Sequence, residues 1–291
     1  MRIVDAHHHL WDPSEVDYEL LRRVGRLAPL ARRFDAAAFD AVARAHGVSA
    51  AIAVEATSAG ADPATETAWL LDQVGRSTVT RAVVAWAPLE DPAIGSYLDA
   101  LLAHAREAGV RVAGIRRSFE SVPEGFIAQE SVARGVREAV ARGLVIDLVL
   151  FGDRLAETVE LVGRVPEASF VLDHLGKPRM SAGEVPDWWE AIGRLAARPN
   201  VVSKVSGLST MATTDAWEAE LEPLVRRAAE TFGWERLMFA SDWPICDLAG
   251  GYARWLDFLG TMTRDASAGE RDAFLAGTAD RIYRPRDGLS P

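Results

Sequence analysis

The chain has 291 residues, 49% of them hydrophobic and 25% charged, with 32 basic and 42 acidic side chains giving a formal charge of −10. This balance suits a protein with a full core; it excludes the basic surface that nucleic acid requires, and no run of about 20 apolar residues offers a transmembrane helix. The start, Met1-Arg2-Ile3-Val4-Asp5, has an acid where an export signal needs apolar residues, and the single cysteine, Cys246, can close no internal disulfide, so we expect a cytoplasmic protein.

Short apolar, β-branched runs alternate with longer helical patterns. A first strand is expected over Arg2–His9, then a long polar stretch, Trp11–Arg33, and a helix over Phe34–His46. Strands follow over Ala50–Glu55, Ala82–Ala87 and Val110–Arg116, alternating with helices over Thr65–Val74, Ile94–Ala108 and Ser131–Ala141. In the second half we expect strands over Leu144–Phe151, Ser169–His174, Val201–Ser206 and Leu237–Asp242. The helices between them are expected over Leu155–Val162, Asp187–Ala197 and Asp215–Phe232. Gly47, Gly109 and Gly143 stand where helices should end. This rhythm predicts an α/β protein with a (β/α)8 TIM barrel. The length is near the ~250 residues typical of one such barrel, so 1–291 reads as a single domain with a β1–α1 insertion at about 11–33 near its mouth. A doubly wound open sheet would place a Gly-rich phosphate turn after the first strand, and none is there.

Barrel enzymes carry their chemistry at the C-terminal ends of the strands, so the polar residues there are read in order. Strand one ends in Asp5-x-His7-x-His9. Side chains alternate along a strand, so His7 and His9 share a face and His8 takes the other as a structural residue. Two imidazoles so placed can hold one metal ion or polarise one oxygen. A surface cluster or appended tag is the alternative, and the position inside a strand pattern argues against it. Strand two ends at Glu55, strand four at Arg116-Arg117 and strand six at Asp173-His174. Strand seven carries Ser203-Lys204-Val205-Ser206, and strand eight ends in Ser241-Asp242-Trp243-Pro244. In a closed barrel strand eight lies beside strand one, so Asp242 should reach His7 and His9 as a general base or a metal ligand. A helix N-cap is the competing reading of Asp242, and a satisfied core histidine that of His174. His46 and His104 fall in helices and are expected at the surface. Cys246 has no implied histidine partner and is not expected to be a nucleophile.

Four segments together resemble the amidohydrolase superfamily: Asp5-Ala6-His7-His8-His9-Leu10-Trp11, Asp173-His174-Leu175-Gly176-Lys177-Pro178, Lys204-Val205-Ser206-Gly207-Leu208 and Ser241-Asp242-Trp243-Pro244. They are most similar to its sugar-lactonase branch, which includes fuconolactonases, rhamnonolactonases and pyrone dicarboxylate lactonases. Gly277-Thr278-Ala279-Asp280-Arg281-Ile282-Tyr283 also resembles that branch's closing helix. The resemblance implies a barrel of the metal-dependent-hydrolase type, a small-molecule substrate and hydrolysis of a lactone, with a sugar-acid (aldono-) lactone foremost. It matches His7 and His9 to the strand-one pair, His174 to the strand-six histidine and Asp242 to the strand-eight acid. Two-metal members of the superfamily use a carboxylated lysine, usually on strand four, and a histidine on strand five. Here strand four offers Arg116 and Arg117, and no histidine occurs between His104 and His174. The expected cofactor is therefore at most one divalent metal, zinc, held by His7, His9, Asp242 and His174, or none, since some members of the branch work without one.

On this reading Asp242 takes a proton from water and returns it to the leaving hydroxyl, while His174 helps to stabilise the oxyanion. Glu55, Arg116, Arg117 and Lys204 are expected to grip hydroxyls or a carboxylate, or else to form plain salt bridges. Trp11, Trp86 and Trp243 would wall a sugar ring or pack as core. Two other functions stay open. A metal-dependent decarboxylase of an aromatic or unsaturated acid would usually carry a strand-five histidine. A non-catalytic barrel acting as a binding protein sits poorly with the retention of His7, His9, His174 and Asp242. A homo-oligomer built through exposed helices is compatible with a barrel.

Overall fold

Runs of small and β-branched residues such as Val48–Val54 and Val145–Val149 are buried on both faces, the signature of parallel strands covered by helices. The computed structural model describes residues 2–57, 60–180 and 185–284. In chain order the elements are β1 (Ile3–His8), α1 (Glu19–Arg23), α2 (Ala36–Ala45), β2 (Val48–Val54), α3 (Pro63–Arg76), β3 (Thr80–Trp86), α4 (Ile94–Glu107), β4 (Val112–Ser118) and α5 (Glu130–Val140). There follow β5 (Val145–Val149), α6 (Leu155–Arg164), β6 (Phe170–Leu172), α7 (Val185–Ala196), β7 (Val201–Val205), α8 (Trp217–Phe232), β8 (Leu237–Phe239), α9 (Gly251–Met262), α10 (Ala268–Asp272) and α11 (Thr278–Tyr283). The strands pair in parallel and in sequence order from β1 to β8. Just beyond β8 the sheet returns to β1: the Asp242 amide donates to the His7 carbonyl at 2.9 Å and the His9 amide to the Trp243 carbonyl at 2.7 Å. The fold is a (β/α)8 barrel, as the β-α rhythm predicts. Among the described residues no helix is long and apolar enough to cross a membrane.

Inside the barrel, Val4, Ala6, Ile52, Val54, Val84 and Val202 belong to an inner apolar cluster, and Tyr283 of α11 joins it. A second cluster lies between strands and helices and includes Phe39, Leu70, Leu98 and Leu161. Strand β1 feeds both sides through an irregularity. Its pairing advances three residues, Asp5 to His8, while β2 advances two, Ala51 to Ala53. The extra residue resets the alternation, so Val4 and Ala6 face inward below it and His7 and His9 face inward above it. His8 turns outward onto Phe39 of α2, ring on ring at 3.5 Å.

Strands β6 and β8 stop earlier than the sequence pattern suggests. The backbone leaves the extended region at His174 (φ 55°) and Asp242 (φ 57°). Left-handed backbone at a residue other than glycine costs on the order of 1 kcal/mol or more and concentrates at functional sites. Both side chains are thus presented from tight turns beyond the strand ends. The segment after β1 contains α1 and a 3-10 turn, Gly25–Leu30. Trp11 and Phe34 exchange backbone hydrogen bonds of 2.9 and 2.8 Å, so this segment leaves and rejoins the barrel at one point.

Candidate active site

His7 and His9 face each other across 3.1 Å, Nε2 to Nε2, and Asp242 Oδ1 lies 3.7 and 3.4 Å from these two nitrogens. His9 Nδ1 is 2.9 Å from the Val54 carbonyl. A carbonyl only accepts, so Nδ1 carries the proton and the Nε2 lone pair faces His7 and Asp242. Two buried nitrogens this close need a proton or a cation between them. The three donors lie within 4.8 Å of one another, and two imidazole nitrogens with one carboxylate oxygen suit zinc. The far nitrogen of His9 meets the Val54 carbonyl, as in the outer shell of metal sites, while that of His7 lies 3.4 Å from Asp173 and 3.1 Å from the Lys204 ammonium. The residues fit one divalent metal.

His174 stands beside this group, its ring centroid 4.8 Å from that of His7. Its Nδ1 lies 2.8 Å from Ser206 Oγ, which leaves Nε2 for a substrate. It joins His7 and Asp173 in a second cluster rather than completing the His7–His9–Asp242 set. Burial pushes the His174 imidazole down to about 4, against the opposing pull of Asp242. Burial works to raise the Asp242 carboxyl, but His174, His9 and His7 around it hold it well below the ordinary value. The result is an ionised Asp242 carboxylate beside a His174 imidazole that burial keeps neutral. Gly207, at φ 66°, lies against both: a Cβ there would come within 2.7 Å of His174 Nδ1 and 2.9 Å of Asp242 Oδ2.

Beneath these groups lies a solvent-free layer of charge. Lys204 Nζ is 2.5 Å from Asp147, 3.0 Å from Asp173 and 3.1 Å from His7 Nδ1. Burial opposes ionisation of Asp173, but Lys204, His7 and Arg116 hold its carboxyl well below the ordinary value. Burial and Lys204 likewise depress His7. Arg116 bonds to the Glu55 carboxylate and carbonyl and, at 3.2 Å, to Asp173. Tyr283 closes the layer from below, its hydroxyl 2.8 Å from both oxygens of Asp147.

A chamber of about 260 Å³ opens above, with His9, His174 and Asp242 in its lining. Several expected substrate contacts are not brought to it. Arg116 reaches the chamber wall, but its guanidinium is committed to Glu55 and Asp173. Glu55 and Lys204 are fully buried in the charge layer. Arg117, one residue out of phase with Arg116, pairs with Glu90 at 2.9 Å. The three tryptophans also lie outside the lining. Trp11 donates to the Leu30 carbonyl, Trp86 packs edge-on to Tyr97, and Trp243 packs against Phe34 and Phe39. The apolar wall comes instead from Phe151, Met211, Ile245 and Leu248. Arg26, Glu120 and Ser206 also meet this site, although the sequence assigns them no role. Ser206 was recoverable, two residues after Lys204 on the same strand face, but Arg26 and Glu120 sit in irregular segments with no periodicity to reveal them. Cys246 is buried, and burial and Asp247 push its thiol well above the usual value, so it is no nucleophile.

The amidohydrolase family model matches residues 4–284 of the chain. An L-fucono-1,5-lactonase from Burkholderia multivorans is 32% identical over 296 aligned positions, covering 96% of this chain and 95% of the relative. An L-rhamnono-gamma-lactonase from Scheffersomyces stipitis is 25% identical over 62% of each chain. Among solved structures, a Burkholderia multivorans amidohydrolase with bound zinc superposes with a TM-score of 0.86 at 29% identity, over 98% of this chain and 99% of that one.

Proposed function

The chain belongs to the amidohydrolase family, and from that premise we propose that it is a lactonase that opens the ring of a sugar-acid lactone by hydrolysis. The observation that carries this reading is the Asp242 carboxylate, 3.4 Å from His9 Nε2 and 3.7 Å from His7 Nε2, standing with His174 in the lining of a small chamber. A lactone bound with its carbonyl between Asp242 and His174 meets a base on one side and a hydrogen-bond donor on the other. Asp242 accepts a proton from water as the water oxygen bonds to the carbonyl carbon. His174, its Nδ1 accepting from Ser206, donates from Nε2 to the developing oxyanion. The ring C–O bond then breaks, and the proton held on Asp242 passes to the leaving oxygen, giving a hydroxy acid. His7, His9 and Asp242 would hold the metal, which when bound supplies Lewis-acid polarisation and a more acidic water. An ester-type alkoxide leaves without a second dedicated acid, which suits this sparse set of groups.

Little in the site favours decarboxylation. Strand β5 has Asp147 bound to Lys204 and Tyr283 and ends at Val149 on the chamber wall. No imidazole stands there for the extra ligand such enzymes usually carry. The test is a pH-stat assay of the purified protein with a panel of aldonolactones, alongside CO2 release from aromatic acids. Acid release that disappears in Asp242→Asn supports the reading. Release of CO2 without lactone opening would sink it.

A further inference from the structure

We propose that Arg26 recognises an anionic substituent of the substrate, and that the substrate is the monolactone of a dicarboxylic sugar acid, with its free carboxylate on the side of the ring away from the reacting carbonyl. This rests on the lactonase reading above. Three cations line the chamber: Arg26, Arg116 and Lys177. Arg116 is held by Glu55 and Asp173, and Lys177 Nζ lies 2.7 Å from Glu120. Among the described residues Arg26 has no carboxylate partner.

The neighbours of Arg26 make this unusual. Arg22 pairs with Asp17 at 2.5 Å, Arg23 with Glu19 at 2.8 Å and Arg33 with Asp35 at 2.8 Å, while Arg32 stacks 4.0 Å over the Phe34 ring. Arg26 is exposed on the 3-10 turn of the segment that rejoins the barrel at Trp11 and Phe34. It stands where the chamber meets a wider polar cavity of about 570 Å³; Arg26, Thr210 and Leu248 line both. The other cation of that outer cavity, Arg254, is bonded to Glu218 at 2.7 Å and lies over Trp217. Arg26 is therefore the cation left to meet an incoming negative charge.

Position sets where that charge lies on the substrate. The reacting carbonyl belongs at the base, beside Asp242 and His174. A chamber of about 260 Å³ has room for one five- or six-membered ring with its substituents. The end of the molecule remote from the carbonyl then reaches the mouth and Arg26. A single guanidinium fork matches one carboxylate with two parallel hydrogen bonds. A phosphate dianion would leave charge unmatched. On a chain of formal charge −10, an anionic substrate also needs a local cation to offset general repulsion.

The test uses the full chain and two lactones of the same ring, one ending in a carboxylate and one in a neutral hydroxymethyl group. Steady-state kcat/KM is measured for both on wild type, Arg26→Gln and Arg26→Lys. We expect wild type to favour the carboxylate-bearing lactone by about tenfold or more, with the preference weakening as salt rises. Arg26→Gln should cut the anionic-to-neutral ratio by about tenfold through KM, and Arg26→Lys should fall between, since it keeps the charge and loses the fork. A ratio unchanged in Arg26→Gln, or a wild type that opens only the neutral lactone, overturns the inference about Arg26 and leaves the lactonase reading standing. A wild type that opens neither lactone overturns the inference about the substrate, and the lactonase reading falls with it only if the aldonolactone panel is not opened either.

Discussion

Lys204 Nζ lies 3.1 Å from His7 Nδ1, so the one lysine on β7 supports the first histidine of the candidate site from below. The same ammonium neutralises Asp147 and Asp173, and all three side chains are fully buried. Removing one partner of a buried ion pair leaves charge uncompensated, at a cost of about 3–5 kcal/mol. Lys204→Met should therefore lower the denaturation midpoint substantially, and adding Asp147→Asn should recover part of the loss. A single variant as stable as wild type would show that the layer does not depend on this cation.

Asp242→Asn should remove nearly all lactone hydrolysis while preserving the far-UV circular dichroism spectrum. A general base contributes about 10²–10⁴ in rate. The amide keeps the shape and the neighbours of the carboxylate but cannot take the proton. Retention of more than about a tenth of wild-type kcat would remove Asp242 from the base role.

Gly207→Ala should damage catalysis more than folding. The new Cβ meets His174 Nδ1 and Asp242 Oδ2 at 2.7 and 2.9 Å, and φ is 66°. Both functional groups have to shift, and small displacements at a reacting centre can cost about 10²-fold. The left-handed backbone adds about 1–2 kcal/mol of strain. Steady-state kinetics and a urea melt on the same preparation separate the two effects.

Zinc should raise the melting temperature of the wild-type protein with a stoichiometry near one, and a chelator should reverse the shift. The donors are Nε2 of His7, Nε2 of His9 and a carboxylate oxygen of Asp242. His9→Asn should abolish the shift, because stabilisation follows from binding to the folded state. An equal shift in that variant would place the ion elsewhere.

Glu66 gives a pH-dependent stability of known sign. Its Oε1 accepts from the Ala56 amide at 3.0 Å, its Oε2 is buried without a partner, and burial followed by Glu55 raises its carboxyl to about 8. The folded protein therefore binds a proton that the unfolded chain has already released, and stability falls as pH rises from the unfolded value toward 8. One proton corresponds to a slope of about 1.4 kcal/mol per pH unit. Above pH 7 Glu66 is the raised carboxyl still carrying its proton, since Asp5 and Asp147 are raised by burial only to about 6. Glu66→Gln should flatten denaturant-measured stability there, and an unaltered slope would assign the pH dependence to another group.

Much of the fold and the centre of the site were legible in the sequence. Strand and helix periodicity predicted the barrel, and His7, His9, His174 and Asp242 stood at strand ends in an order that a closed barrel brings together. The ends of β6 and β8 were placed too late, because no hydrophobic pattern announces that His174 and Asp242 take left-handed backbone. The inward aim of His7 and His9 was read from plain alternation, although it also depends on the irregularity that resets β1 after Ala6.

By itself, then, the sequence determined the repeat of strands and helices and the chemical types at the strand ends, because both follow from local periodicity. Only the tertiary structure decided which of those polar groups are left free to face the chamber. Glu55, Arg116 and Lys204 carry the charges expected of a binding site, yet they spend them on one another, because a buried charge must find its partner before it can serve a ligand. Arg26 lies far from every strand end in sequence and is carried to the chamber only when Trp11 and Phe34 draw its segment across the barrel mouth. That encounter between distant parts of the chain has no periodic trace in the sequence.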